Sequence, residues 1–144
     1  MQLYLDTSAL VKRYIYEVGT EYVQHLIRQA NCVAISIVGK VELISALSRS
    51  ELYGMDENTI RQAKQAFQQD FQGLVFLTAN DEVIHQACES ASKHKLRGYD
   101  AIHLASAINW FVETNEMVQF VTYDYHLWRA AKTTNLTVLP ETLG

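Results

Sequence analysis

The sequence predicts an α/β fold built around a mostly parallel sheet. Three observations predict it. Short apolar runs recur along the chain and alternate with longer amphipathic stretches, the pattern of strand and helix taken in turn. These runs lack the apolar–polar alternation of a half-exposed strand, so both faces of the sheet are expected to be covered. The six glycines and the lone Pro140 mark turns, with no linker, repeat or low-complexity tract, so residues 1–144 are expected to form one domain.

Leu3-Tyr4-Leu5 reads as the first strand, and its uninterrupted apolar character suits a central position. Asp6 ends it and could cap a helix at Thr7-Ser8-Ala9-Leu10. A helix is expected over Thr20 to Ala30 and a second strand over Val33 to Ser36. The helix from Val38 to Leu52 is followed by another from Glu57 to Phe71, with Asp56 placed to cap it. Leu74 to Leu77 is the third strand. Thr78, Asn80 and Asp81 are candidate caps for the helix ending at His94. The helix from Asp100 to Glu113 carries an apolar stripe through Leu104, Ile108, Phe111 and Val112. Val118 to Thr122 is the fourth strand, Tyr125 to Thr133 the last helix, and Leu136 to Leu139 the fifth strand, which Pro140 stops.

An apolar fraction of 49% and a charged fraction of 19% are ordinary for a globular chain. No apolar run reaches the roughly 20 residues of a membrane span. Met1 to Asp6 lacks the basic region of a secretory leader, so a cytoplasmic protein is expected. Cys32 and Cys88, both beside apolar residues, read as free thiols used as small hydrophobes. The histidines and cysteines show no zinc spacing. A net charge of −4 excludes a large basic surface for nucleic acid. Basic residues nevertheless stand close in sequence to acidic ones. Lys12 and Arg13 follow Asp6, and Lys95 and Arg97 precede Asp100. These four are candidates for substrate phosphates, with solvated helix ends as the plainer alternative.

The informative feature is a set of four acids in apolar surroundings: Asp6, Glu42, Asp100 and Asp124. An isolated buried carboxylate is costly unless it is paired or coordinates a metal. In an open parallel sheet, ligands bind beyond the carboxyl ends of the strands, where strand order reverses. Asp6 ends the first strand and Asp124 follows the fourth, so the two meet if those strands are neighbours. Asp100 lies four residues before Leu104 and extends its inward stripe. Glu42 is flanked by Val41 and Leu43. Each acid also has a structural reading: helix caps for Asp6 and Asp100, an Asx turn for Asp124, and a pairing of Glu42 with Arg49.

A shared oxygen-donor site selects a hard cation, Mg²⁺ or Mn²⁺, which keeps waters and takes substrate phosphates. The implied chemistry is hydrolytic phosphoryl transfer, in which an activated water attacks and no Ser, Cys or His nucleophile is needed. His103 reads mainly as a core histidine, with a supporting role at the acids as the alternative. Tyr99, Tyr123 and Tyr125 flank the acids and could stack on bases or pack at the rim. Trp110 and Trp128 read as packing residues.

The motifs resemble those of PIN-domain ribonucleases, in particular the VapC-type toxins of toxin–antitoxin pairs, over nearly the whole chain. Tyr4-Leu5-Asp6-Thr7-Ser8-Ala9-Leu10-Val11-Lys12 resembles the first motif of that family and Val41-Glu42-Leu43 the second. The stretch from Leu96 to Ala105, with Asp100 inside it, is similar to the third and is the most specific. Val121-Thr122-Tyr123-Asp124 and the residues to Val138 resemble the closing segment. The resemblance implies a three-layer PIN-like fold whose five parallel strands run in the order 3-2-1-4-5, flanked by helices. It implies endonucleolytic cleavage of RNA with Mg²⁺ or Mn²⁺ held by Asp6, Glu42, Asp100 and Asp124. In that family Asp124 is the most variable of the four. It gives Ser8 and Thr122 supporting roles, and it implies a homodimer restrained by a small antitoxin.

Two other readings stand beside this one. A phosphatase with an aspartyl nucleophile would suit Asp6, but Ser8 stands where the second aspartate of the usual Asp-x-Asp pair belongs. A catalytically inactive PIN-fold module would keep the groove for RNA or a protein partner.

Overall fold

A computed structural model describes residues 1–144. The chain runs β1 (Gln2–Leu5), α1 (Thr7–Tyr14), α2 (Thr20–Gln29), β2 (Cys32–Ser36), α3 (Ile37–Arg49), α4 (Glu57–Asp70), β3 (Leu74–Leu77), α5 (Asp81–His94), α6 (Gly98–Thr114), β4 (Val118–Val121), α7 (Tyr125–Ala131) and β5 (Thr137–Leu139). Single 3₁₀ turns at Ser50–Tyr53 and Phe71–Gly73 finish α3 and α4. All strands pair in parallel, in the order β3-β2-β1-β4-β5, as expected.

The strands feed two cores, one on each face. Tyr4, Ala34, Phe120 and Val138 point to the layer of α5, α6 and α7. Leu3, Leu5, Ile35, Val121 and Leu139 point to the layer of α1, α2, α3 and α4. This two-sided burial is why the strands read as continuous apolar runs. No helix is long and apolar enough to cross a membrane.

The caps follow the local chemistry. Asp56, Asn80 and Asp124 each accept a backbone N–H in the first turn of the helix that follows. Asp6 does the same for Ala9 as the cap of α1, which continues to Tyr14.

Three expectations need correction. The buried side of α6 runs through Ala101, Leu104, Ala105 and Trp110, whereas Val112 is 66% exposed. The helix is apolar nearly all round, so periodicity alone could not select its face. Cys88 is exposed, not in an apolar setting, although both thiols are free. Of the four acids only Asp6 is fully buried, and the others are half-buried. Glu42 and Asp100 lie on helices, whose flanks reach the rim, and Asp124 caps α7 three residues past β4, whereas Asp6 directly follows β1 between the two layers.

Candidate active site

The register of β1 on β4 sets Leu5 opposite Val121, so the residues that follow, Asp6 and Thr122, emerge side by side. Asp6 Oδ1 accepts the Ala9 N–H at 2.9 Å and the Ser8 hydroxyl at 2.7 Å, and Oδ2 accepts the Thr122 hydroxyl at 2.5 Å. Ser8 Oγ in turn accepts the Tyr123 N–H at 2.8 Å, and Thr122 Oγ1 accepts the Asp124 N–H at 3.1 Å. Two hydroxyls therefore tie the end of β1 to the turn between β4 and α7. Asp124 caps α7 there, accepting the Leu127 N–H at 2.9 Å.

Asp100 stands in the first turn of α6. The Arg97 guanidinium lies 3.7 Å from a carboxylate oxygen of Asp100 and 3.7 Å from one of Asp124, bridging the two. Glu42 sits on α3. Its Oε1 accepts the Thr7 hydroxyl at 2.7 Å and lies 2.6 Å from His103 Nε2, so its partners are these residues and not Arg49.

The electrostatics separate these carboxyls. Burial pushes Asp6 above the usual carboxylate range, although His103 and the donors Thr122, Ser8 and Ala9 pull it down. Asp100 is also raised, first by burial and then by the negative charges of Asp124 and Asp6. Arg97 and His103 offset only part of this. Burial acts upward on Glu42 too, but His103 and Thr7 outweigh it and leave this carboxyl below its ordinary value.

The donor set fits a hard cation. Its members offer oxygen, and Asp100 feels the repulsion of two neighbouring carboxylates. The single cation facing Asp100 and Asp124 is Arg97, whose side chain is 86% exposed and free to swing away. The side chains do not close on one point: no three acidic, histidine or cysteine groups meet at ion-binding spacing. Both oxygens of Asp6 and Oε1 of Glu42 already take part in hydrogen bonds.

This crowding makes a prediction. A carboxyl whose folded-state pKa is raised binds more protons in the folded chain. Its stabilisation is present below the unfolded pKa and is lost as pH rises through the folded one. Asp100→Asn should therefore melt higher than the wild type at pH 7 in chelator, by about 2 °C or roughly half a kcal/mol. The difference should vanish on acidification below the unfolded carboxyl pKa. A lower melting temperature for the variant at pH 7 would argue against repulsion at Asp100.

Of the four basic candidates, the structure brings only Arg97 to the acids. Lys12 is nearly buried. Its ammonium pairs with Glu17 at 2.9 Å, donates to the Val18 carbonyl at 2.7 Å and lies over the Tyr123 ring. Arg13 is directed to Asp70 at 3.5 Å, and Lys95 donates to the Ser92 carbonyl. Gly19, at φ 97°, lets the loop before α2 close on Lys12 and Tyr123. Tyr99 and Tyr125 are more than half exposed beside the acids, while Trp110 is buried in the core and Trp128 packs against it. A groove of about 600 Å³ runs from Thr7 and Glu42 past Arg49 to Tyr53 and Tyr99. Sequence reasoning missed Thr7 and Tyr4 as partners of the site. Their only signal was adjacency to Asp6.

A family model described as PIN domain matches residues 3–133. No curated protein matches the chain. Among solved structures, a toxin–antitoxin complex from Klebsiella pneumoniae is similar with a TM-score of 0.70 at 15% identity, over 99% of each chain. VapBC2 from Rickettsia felis, bound to a DNA fragment from its promoter, gives 0.66 at 17% identity, over 96% of this chain and 97% of the other. FitAcB from Neisseria gonorrhoeae gives 0.65 at 15% identity, over 94% and 95%. At such identities the likeness is one of fold.

Proposed function

The chain belongs to the PIN domain family, and from that premise we propose that it is a metal-dependent endoribonuclease, the VapC-type toxin of a type II toxin–antitoxin pair. The observation that carries the reading is the gathering of Asp6, Asp124 and Asp100 where β1 and β4 end and α6 begins, close enough that burial and then the charges of Asp124 and Asp6 raise Asp100. Asp6, Asp100, Asp124 and Glu42 would hold Mg²⁺ or Mn²⁺, which when bound would supply water activation and neutralise charge at the scissile phosphate. Ser8 and Thr122 fix the orientation of the Asp6 carboxylate. Arg97 is suited to a phosphate of the RNA, and Tyr99 and Tyr125 to its bases. Lys12 and Arg13 are committed to Glu17 and Asp70, so they contribute little to substrate.

The partners proposed are RNA, a small antitoxin and a second copy of this chain, in the cytoplasm. Similarity to toxin–antitoxin structures supports the antitoxin. A second reading, a catalytically inactive binding module, is favoured by one observation: the acidic side chains do not converge on one point. The two are separated by incubating the purified chain and RNA with Mg²⁺, with Mn²⁺ or with chelator. Cleavage is expected only with a cation. Absence of both cleavage and Mn²⁺ binding would favour the inactive module.

A further inference from the structure

His103 is 1% exposed and sits one turn beyond Asp100 on α6. It has a partner at each ring nitrogen. Nδ1 lies 2.7 Å from the Tyr4 hydroxyl, and Nε2 lies 2.6 Å from Glu42 Oε1. Tyr4 is itself immobile, fully buried and stacked on Phe120 with ring centres 5.4 Å apart. A phenol keeps its proton at neutral pH. That proton is directed at His103 Nδ1, 2.7 Å away, with the Ser106 side chain and the Ser36 backbone also against the phenol oxygen. In the neutral imidazole the ring proton is then left on Nε2, directed at Glu42, and Nε2 is a donor to Glu42 in the charged ring as well. Thr7 donates to the same Glu42 oxygen. Gly39 on α3 packs against the imidazole, where a Cβ would meet His103 Cε1 at 3.4 Å.

We propose that His103, its tautomer set by Tyr4, is a positioning residue that clamps Oε1 of Glu42 and leaves Oε2 as the single Glu42 oxygen free for a cation. The inference rests on the metal-dependent reading above. Without the clamp, Glu42 stands on a helix beside the 70%-exposed Val41 and would sample several rotamers. With it, the carboxylate is presented in one orientation before any ligand arrives, the usual role of a hydrogen-bond partner behind a metal-binding carboxylate.

The test titrates Mn²⁺ alone into the full-length chain by calorimetry, for wild type, His103→Leu, His103→Gln and Tyr4→Phe, with melting curves run alongside. His103→Leu should weaken Mn²⁺ binding by about 10–100-fold. His103→Gln, whose amide can still donate to Glu42, should stay within about threefold of wild type. Tyr4→Phe should fall between them. In a Glu42→Gln background, His103→Leu should weaken binding no further. Nitrogen-15 NMR of the imidazole should show the proton on Nε2. Wild-type affinity in His103→Leu, a His103→Gln as weak as His103→Leu, or a proton on Nδ1 would each overturn the proposal while leaving the metal-dependent reading intact. Failure of the wild-type chain to bind Mn²⁺ would overturn both. Should His103→Leu not fold, Tyr4→Phe and His103→Gln carry the comparison.

Discussion

Asp6→Asn should lower metal-dependent RNA cleavage by about 10²–10³-fold while the chain stays folded. The carboxylate has two separable duties. As a cap it accepts the Ala9 N–H and the Ser8 hydroxyl on Oδ1, which an asparagine oxygen can still do. The Thr122 hydroxyl, which now donates to Oδ2, can turn and accept from the new amide. The negative charge, however, is lost at the point where β1 and β4 end together. Mn²⁺ affinity should fall with activity, and the melting temperature should hold or rise, because burial already disfavours the charged form of Asp6. Asp6→Ala is a different experiment. It strands the Thr122 hydroxyl and the Ala9 N–H in a buried place, at about 1–3 kcal/mol for each donor left without a partner. The decisive measurement is single-turnover cleavage at saturating Mn²⁺. Wild-type rates in Asp6→Asn would remove Asp6 from the site.

Phe67→Ala should reduce unfolding free energy by about 3–5 kcal/mol, a large share of what a domain of this size possesses. Phe67 is fully buried on α4 and meets Tyr14 and Phe71 edge to face, with ring centres 5.3 and 4.9 Å apart. It belongs to the core that holds α1, α3 and α4 against the sheet face carrying Leu3, Leu5 and Ile35. Truncation removes both the transfer free energy of the ring and the aromatic contacts, and it leaves a cavity that rigid neighbours fill poorly. Urea unfolding at unchanged slope is the check, with Phe67→Leu expected to lose much less. A loss under about 1 kcal/mol would mean that this layer is not secured through α4. Because α3 carries Glu42 and α1 begins at Asp6, a loosened layer should also reduce cleavage by lowering the folded fraction.

Much of this molecule could be read locally. Val33 to Ser36 reveals itself as a strand because burial on both faces removes polar alternation, whereas Leu74 to Leu77 is an apolar edge strand with Val75 exposed. Asp56 and Asn80 announce helix starts because a short oxygen-bearing side chain satisfies an otherwise orphaned N–H. The meeting of Asp6 with the fourth strand was expected only if strands 1 and 4 are neighbours, an order that the family resemblance implied. Other features were not readable. The sequence could not say that Lys12 turns to Glu17 and Tyr123 instead of the site, because a lysine stem reaches in several directions and its partners are set by loop closure at Gly19. Nor could it show the buried face of α6, whose Ala, Leu, Ile and Trp surround the whole helix.

By itself, then, the sequence determined the order of strands and helices, the acids at strand ends and the caps. Each of these depends on periodicity or on groups a few residues apart, which chain geometry alone brings together. The tertiary structure alone decided that Arg97 bridges Asp100 and Asp124, that Asp6 is the carboxylate Thr122 and Ser8 donate to, and that His103 engages Glu42. Those contacts join residues up to 116 positions apart. Which donor a buried carboxylate finds is settled by strand register and by the close approach of α3 to α6 at Gly39, and neither is written in any single segment of the chain.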